Sequence, residues 1–303
     1  MLFLLDNFYI YVSISGAGYF GEVVSGKSFI AVHCKKLHSD AKNSQGEKKM
    51  KLAITSKQIA MIAIFAALYT VLRLMQTIPM IGVEGGKFSL SDVIAPIYGI
   101  VLGPYVGGAS VILGTFLAIA FGRPVTFMFL DFLPALINAV ALGFLFRRKW
   151  WPVVVLYAVL LFGFLSNPLT TLFVTVGGIS IPFAWLHIAG FIVLLSPLGL
   201  KAGQWIQTLK PAKLTAGLIV LAFVGTMMQH LMGNILTEVV MGQIAHTMTP
   251  AAFNGMWTAV FFVYPWERLV LVILAVVVGI PLVRVLKTSF FRSDKQAATE
   301  TQS

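Results

Sequence analysis

Residues 90–122 read LSDVIAPIYGIVLGPYVGGASVILGTFLAIAFG and carry a single charged side chain, Asp92. A stretch this long and this apolar predicts membrane-spanning helix, because a bilayer core takes roughly 20 helical residues. Gly103-Pro104 interrupts it, since proline cannot donate a backbone hydrogen bond and disfavours helix at the preceding residue. We therefore expect two segments, 90–103 and 105–122. A tight hairpin, a kinked helix and a re-entrant pair all fit this pattern.

Similar apolar runs recur along most of the chain. It has 303 residues with a mean hydropathy of +0.89, and 11% of them are charged, against roughly 25% in an average soluble domain. Too few polar side chains remain to cover a water-soluble surface, so the bilayer is the expected solvent. The predicted fold class is an all-α polytopic membrane bundle of about eight transmembrane helices. The other six segments are 57–78, 126–146, 152–173, 182–199, 213–236 and 259–286.

The basic residues act as topology signals. The net charge is +11, but the lysines and arginines form short clusters between apolar runs instead of one continuous face, so no nucleic-acid partner is predicted. By the positive-inside rule these clusters lie in the cytoplasm, which places both termini on the cytoplasmic side of the membrane. The expected location of the protein is the cell membrane of a prokaryote. The clusters are Lys48, Lys49, Lys51 and Lys57; Arg147, Arg148 and Lys149; Lys201, Lys210 and Lys213; and Arg284, Lys287, Arg292 and Lys295.

The termini differ from the membrane core. Residues 1–49 contain no span, and Met50 begins a stretch typical of an inner-membrane protein. Two origins stay open for 1–49: a mis-assigned translation start, or a genuine disordered cytoplasmic tail. The expected domains are a non-core extension (1–49), membrane helices 1–4 (50–149), an inserted helical hairpin (150–211), closing helices (212–288) and a disordered cytoplasmic tail (289–303).

Polar side chains inside the spans predict a solute site. An ionisable residue at mid-helix costs about 2.5–3.5 kcal/mol on insertion scales, so such groups usually face one another or a wet cavity. His230, Asn234 and Glu238 recur at four-residue spacing and share one helical face. Bonding to neighbouring helices would explain them equally well. The substrate-binding candidates are Arg73, Lys87, Arg123, Asp131, His230, Asn234, Glu238, Trp266, Glu267 and Arg268.

Several of these candidates also have structural explanations. Asp131 suits the dipole near the start of a helix, and Glu267 fits the first turn of the last helix. Arg268 is expected either to pair with Glu267 or to hold an anionic solute. Trp266 would stack on a planar ring or belong to an interfacial aromatic belt.

No cofactor and no metal site are predicted. The single cysteine, Cys34, cannot form a disulfide or a thiolate site within one chain, and no second histidine lies one turn from His230.

Small residues mark two helix faces. Ala60, Ala63 and Ala67 follow one another along the first helix, while Gly99, Gly103 and Gly107 share a spacing of four across the next two segments. Such spacing lets helix backbones approach closely, either for internal packing or for docking of another membrane subunit.

An ordered set of motifs resembles the substrate-binding (S) components of energy-coupling factor (ECF) transporters, the riboflavin-type member most. The resemblance covers 50–148 and about 214–287. Its family has six helices, which makes 150–211 an added hairpin. The motifs are the Ala63/Ala67 pair, GGKFSLSDVIAPIYGIVLGPYVGGASVILG (85–114), FMFLDFLPALINAVALGFLFRRK (127–149) and VYPWERLVLVILAVVVGIPLVRVLK (263–287).

The resemblance implies a function and partners. The loop around 81–91 would cover a solute pocket, and the face of Ala60, Ala63 and Ala67 would dock onto a transmembrane coupling (T) subunit driven by two cytoplasmic ATPases. The chain would be the substrate-binding subunit of an ABC-type uptake transporter for a small water-soluble vitamin or related micronutrient, riboflavin-like as a first guess. The membrane core (50–288) has no GxxxxGK[ST] loop, and the match at 21–28 (GEVVSGKS) lies in the 1–49 extension, so ATP hydrolysis is expected in the partners and the chain is not expected to be an enzyme.

Two other classes of protein stay open. In a proton-coupled secondary transporter, Glu238 or Glu267 would act with His230, but no convincing inverted repeat is found. An intramembrane enzyme is less favoured, because HExxH, GxSxG and paired acidic clusters are missing from the sequence.

Overall fold

A computed structural model describes residues 55–82 and 86–286 in full, together with the backbone of 3–5, 8–10 and 287–300. The chain divides into two compact units, Met1–Ala53 and Ile54–Ser303. In the first unit, strands β1 (Phe3–Leu5) and β2 (Phe8–Ile10) pair antiparallel. The second start at Met50 lies outside the described residues, and so do 83–85 of the expected pocket cover. The predicted domain boundaries stay predictions.

The second unit is a helical bundle, which confirms the predicted fold class. Two short antiparallel hairpins connect its helices: β3 (Gln76–Pro79) with β4 (Lys87–Ser89), and β5 (Phe173–Val176) with β6 (Ile179–Pro182). Helix α7 continues into a π-helical segment, Thr237–Ile244. The helices are α1 (Ser56–Leu74), α2 (Ser91–Ala120), α3 (Leu133–Phe146), α4 (Trp150–Leu165), α5 (Trp185–Leu195), α6 (Pro197–Gln207), α7 (Pro211–Leu236) and α8 (Pro250–Glu300).

Fewer helices than predicted are long enough to cross a membrane alone. Within the described residues, four are long and apolar enough: α1, α2, α7 with its π-helical end, and α8 over Pro250–Leu286. Helices α5 and α6 meet at an angle of 66° and would make a fifth span if they act as one. Helices α3 and α4 are apolar but short, at 14 and 16 residues.

Helix α2 is broken at Gly103, where φ is 81° and ψ is 176°. A Cβ on Gly107 would lie 2.8 Å from the carbonyl oxygen of Tyr98. In one continuous helix, positions nine residues apart would be about 13.5 Å apart along the axis. The arms 91–102 and 104–120 therefore fold back on each other, which is the tight hairpin among the three predicted alternatives.

Glycines let α3 pack against this hairpin by backbone contact. A Cβ on Gly99 would overlap the carbonyl of Ala139, and one on Gly143 would lie 2.7 Å from Cα of Pro104. The glycine series thus serves internal packing. In contrast, Ala60, Ala63 and Ala67 of α1 are exposed.

Several predicted helix boundaries were wrong. The segment 57–78 ends at Leu74, and the segment 182–199 begins in β6 and is broken between α5 and α6. The segment expected to start at 126 becomes helical at Leu133, because the carboxylate of Asp131 accepts the backbone N–H groups of Thr126 and Phe127 and holds a turn there. The segment expected to run to 173 ends at Leu165, just before Asn167-Pro168. The last helix begins at Pro250 instead of 259.

Candidate functional site

A cavity of about 110 Å³ lies among α1, the β3–β4 hairpin, the α2–α3 loop, α7 and α8. Eight of the ten predicted binding residues line it, although they come from five separate parts of the chain. The eight are Arg73, Lys87, Arg123, Asp131, His230, Asn234, Glu267 and Arg268.

The structure does not bring Glu238 to the cavity. Its side chain is fully buried, and its Oε1 accepts a hydrogen bond of 2.6 Å from the hydroxyl of Thr170. The helix changes from α to π at Thr237, so the four-residue spacing from Asn234 no longer sets the direction of Glu238.

Trp266, the other predicted binding residue, does not line the cavity either. It is 70% exposed and borders surface grooves outside the cavity, while Glu267 and Arg268, which follow it, line the cavity. Successive helical residues point about 100° apart, so the side chain of Trp266 points in a different direction from those of Glu267 and Arg268. The belt interpretation of Trp266 agrees with this position.

Several lining residues were not among the candidates, chiefly Asp92 and Gln229. Oδ2 of Asp92 accepts the backbone N–H of Ser89 at 3.0 Å, as a carboxylate near the start of a helix can do. Its Oδ1 also accepts the amide of Gln229 at 2.8 Å, and Gln229 in turn accepts a bond of 2.7 Å from Asn138. This network links α2, α3 and α7 beneath the cavity.

Arg123 ties the α2–α3 loop to two other elements. Its guanidinium donates to the backbone carbonyl oxygens of Arg73, at the end of α1, and of Lys87, in β4. Burial lowers the pKa of Arg123, and the nearby charge of Arg73 lowers it further, while Asp92 opposes both effects. An arginine nevertheless stays charged in proteins, so Arg123 keeps its positive charge beside the cavity.

Arg268 is the least satisfied polar group at the cavity. Its guanidinium carbon lies 5.4 Å from the ring centroid of Phe88, and the nearest carboxylate, on Glu267, is 3.6 Å from Nη2. The two side chains therefore form the ion pair that was one of the two predicted roles of Arg268, but the separation is too long for a hydrogen bond. Arg268 is 2% exposed, and neither its Nε nor its Nη2 has a hydrogen-bond partner.

An aromatic stack forms one wall. The rings of His187, His230 and Tyr264 stack pairwise with centroids 5.1–5.4 Å apart. Nε2 of His187 lies 3.0 Å from Nδ1 of His230, and the Tyr264 hydroxyl donates to the carbonyl of Phe183. His187 belongs to α5, so the predicted hairpin insertion supplies the wall behind His230. Within the described residues, no group of three or more His, Cys, Asp or Glu side chains could hold a metal ion.

The histidine pair predicts defined tautomers. Nδ1 of His187 is buried without a partner, and an orphaned buried N–H is rarer and costlier than a bare acceptor. We therefore expect His187 to donate from Nε2 to Nδ1 of His230, which leaves His230 with a proton on Nε2. Nitrogen-15 NMR of histidine-labelled protein should show both as Nε2–H tautomers.

The exposed His246 provides an internal reference for that spectrum. A His187→Phe variant should remove one resonance set and shift His230 towards a mixture of tautomers. An Nδ1–H tautomer at His230 in the wild-type protein would contradict the assignment.

Residues 57–199 match the family model of the ECF transporter, substrate-specific component. This segment belongs to that family. It runs from α1 into α6 and includes 150–199, most of the stretch that was predicted to be an insertion. No curated protein and no solved structure matches the chain. Over this segment the chain is similar to substrate-specific components of transporters, while helices α7 and α8, which contribute His230 and Arg268, lie beyond the match.

Proposed function

We propose that this S component binds a small water-soluble vitamin or related micronutrient for an ECF-type uptake transporter. The observation that carries the proposal is the convergence of eight predicted polar side chains from separate elements on one cavity. A membrane helix tolerates such groups where they serve a solute pathway or site. The partners would be a transmembrane T subunit and two cytoplasmic ATPases, which supply the ATP hydrolysis.

The direction of the helices supports an outward-facing site. Arg73 is at the end of α1 and Asp131 precedes α3, so the cavity lies at the ends of the helices opposite to Lys57 and Arg147. By the positive-inside rule, these basic residues would face the cytoplasm of a prokaryotic cell, with the cavity towards the outside. Solute would then enter from the external medium.

The size of the cavity bears on the substrate. Its volume of about 110 Å³ is smaller than the roughly 150 Å³ of an engineered cavity that holds one benzene ring. A riboflavin-like ring system, the first candidate, would require the cavity walls to move apart. A single small ring or a short-chain compound would need less movement.

Purification from the native host in mild detergent, followed by mass spectrometry of bound proteins and small molecules, tests the proposal. We expect a retained vitamin together with a T subunit and ATPase subunits. A lone protein whose reconstituted vesicles accumulate solute when a proton gradient is applied would contradict it and favour a secondary transporter.

A further inference from the structure

We propose that the substrate of this site carries a single carboxylate, which is bound by the guanidinium group of Arg268, with Arg73 adding positive charge and a free donor to another wall of the cavity. The inference rests on the proposed function and names the chemical class of its substrate. It follows from the unpaired polar atoms and from the charge balance of the cavity.

Arg268, which lines the cavity, has unused hydrogen-bond donors. A buried charge is costly unless it is paired and hydrogen-bonded, and Arg268 is 2% exposed with Nε and Nη2 both unpartnered. The contact with Phe88 covers one face of the guanidinium but uses none of its N–H groups. An arginine held in this way is suited to bind a carboxylate with two parallel hydrogen bonds.

Arg73 repeats the arrangement on another wall of the same cavity. It is 6% exposed, and its Nη2 donates to the backbone carbonyl of Asp131 at 3.0 Å. Its Nε is buried without a partner. One edge of this guanidinium is therefore fixed by the protein while a donor is left unused.

The carboxylates of the protein that line the cavity do not accept hydrogen bonds from these unused donors. Asp131 accepts two backbone N–H groups, and Asp92 accepts from Ser89 and Gln229. Glu267 lies 3.6 Å from Arg268, beyond hydrogen-bond distance, and its side chain is 14% exposed. The unused donors of Arg268 thus have no full partner among the described residues.

The charge of the lining favours a monoanion. By residue type, the lining has four cationic side chains, Arg73, Lys87, Arg123 and Arg268, and three anionic ones, Asp92, Asp131 and Glu267. The formal excess is one positive charge. One carboxylate would neutralise it, whereas a doubly charged phosphate would leave an uncompensated negative charge in a buried site.

Matched pairs of small compounds test the charge requirement. The probes are benzoate against benzamide and nicotinate against nicotinamide, added at constant ionic strength to the purified full chain, with the thermal unfolding midpoint as the readout. We expect the carboxylates to raise the midpoint saturably and the amides to leave it unchanged. No stabilisation by either carboxylate relative to chloride, or equal stabilisation by the amides, would overturn the proposal.

Arg268→Met separates a binding role from a structural one. The variant should weaken carboxylate binding at least about 30-fold, because a buried charged partner is lost. It should also raise the midpoint of the ligand-free protein, since the buried cation that is removed has only a 3.6 Å ion pair with Glu267 and two donors without hydrogen-bond partners. Arg268→Lys, which keeps the charge but loses the planar fork, should bind with intermediate affinity.

Arg284→Met is the matched control, because Arg284 is exposed and lies 16 residues further along α8. It should bind both carboxylates like the wild type. An Arg268→Met protein that unfolds earlier yet still binds carboxylate would overturn the proposal. Capture of a neutral vitamin together with ECF subunits would also overturn it but leave the transport function intact, so the two failures are distinguishable.

Discussion

A Gly99→Ala variant should unfold well below the wild-type temperature or fail to accumulate in the membrane. The added Cβ would overlap the carbonyl oxygen of Ala139 and lie 2.9 Å from both the carbonyl carbon of Ala139 and the amide nitrogen of Gly143. These are backbone atoms of α3, so no side-chain rotation relieves the overlap. Overpacking of this kind typically costs roughly 1–3 kcal/mol, and more where the backbone must shift. The thermal unfolding midpoint in detergent measures the effect.

Gly255→Ala makes the same chemical change where there is room for it. Gly255 lies in α8, and a Cβ there would meet nothing within 4 Å. An alanine in a helix is more stable than a glycine by roughly 0.5–1 kcal/mol, so this variant should match or exceed the wild type. If both glycine variants shift the midpoint equally, the close packing of α3 on the α2 hairpin is contradicted.

The α2 hairpin could be predicted because Gly103-Pro104 is a local signal within an apolar run. The β5–β6 hairpin carried a local signal as well: Gly177-Gly178, both at positive φ, between the β-branched runs of 173–176 and 179–182. A Gly-Gly pair between such runs is a turn signature. It was missed because 174–181 was treated only as the connection between the predicted segments 152–173 and 182–199, whose ends covered Phe173 and Pro182.

The start of α3 had no comparable signal in the sequence. It depends on which backbone groups the carboxylate of Asp131 accepts, and hydropathy contains no information about that choice. A helix boundary set by one side chain is visible only in three dimensions. The same holds for the direction of Glu238, which depends on the π-helical segment.

Eight polar residues of the site could be predicted because charged groups in membrane helices are costly and therefore few. This rule selects residues without locating their partners, and eight of the ten selected residues do line the cavity. The hydrogen bond between Asp92 and Gln229 joins positions 137 residues apart, a pairing that no periodicity indicates. The unused donors of Arg268 likewise became visible only when its neighbours were placed.

Ala63→Trp should abolish assembly with the coupling subunits while solute binding persists. Ala60, Ala63 and Ala67 form an exposed strip of small side chains on α1, and small residues allow close approach of another helix. If the proposed T subunit docks there, an indole ring would hold the two backbones apart. Co-purified T and ATPase subunits should fall at least about tenfold, which corresponds to a loss of about 1.4 kcal/mol.

The control for Ala63→Trp places the same side chain elsewhere on the lipid-exposed surface. Val277 of α8 is 62% exposed and lies on a different helix from the alanine strip. Val277→Trp should retain the subunits, and both variants should retain the small molecule found in the wild type. Equal loss of subunits in both variants would indicate a general effect of bulk at the lipid surface. If Ala63→Trp assembled fully, docking on the alanine strip of α1 would be contradicted. The cavity assignment would be unaffected, because none of the three alanines lines the cavity.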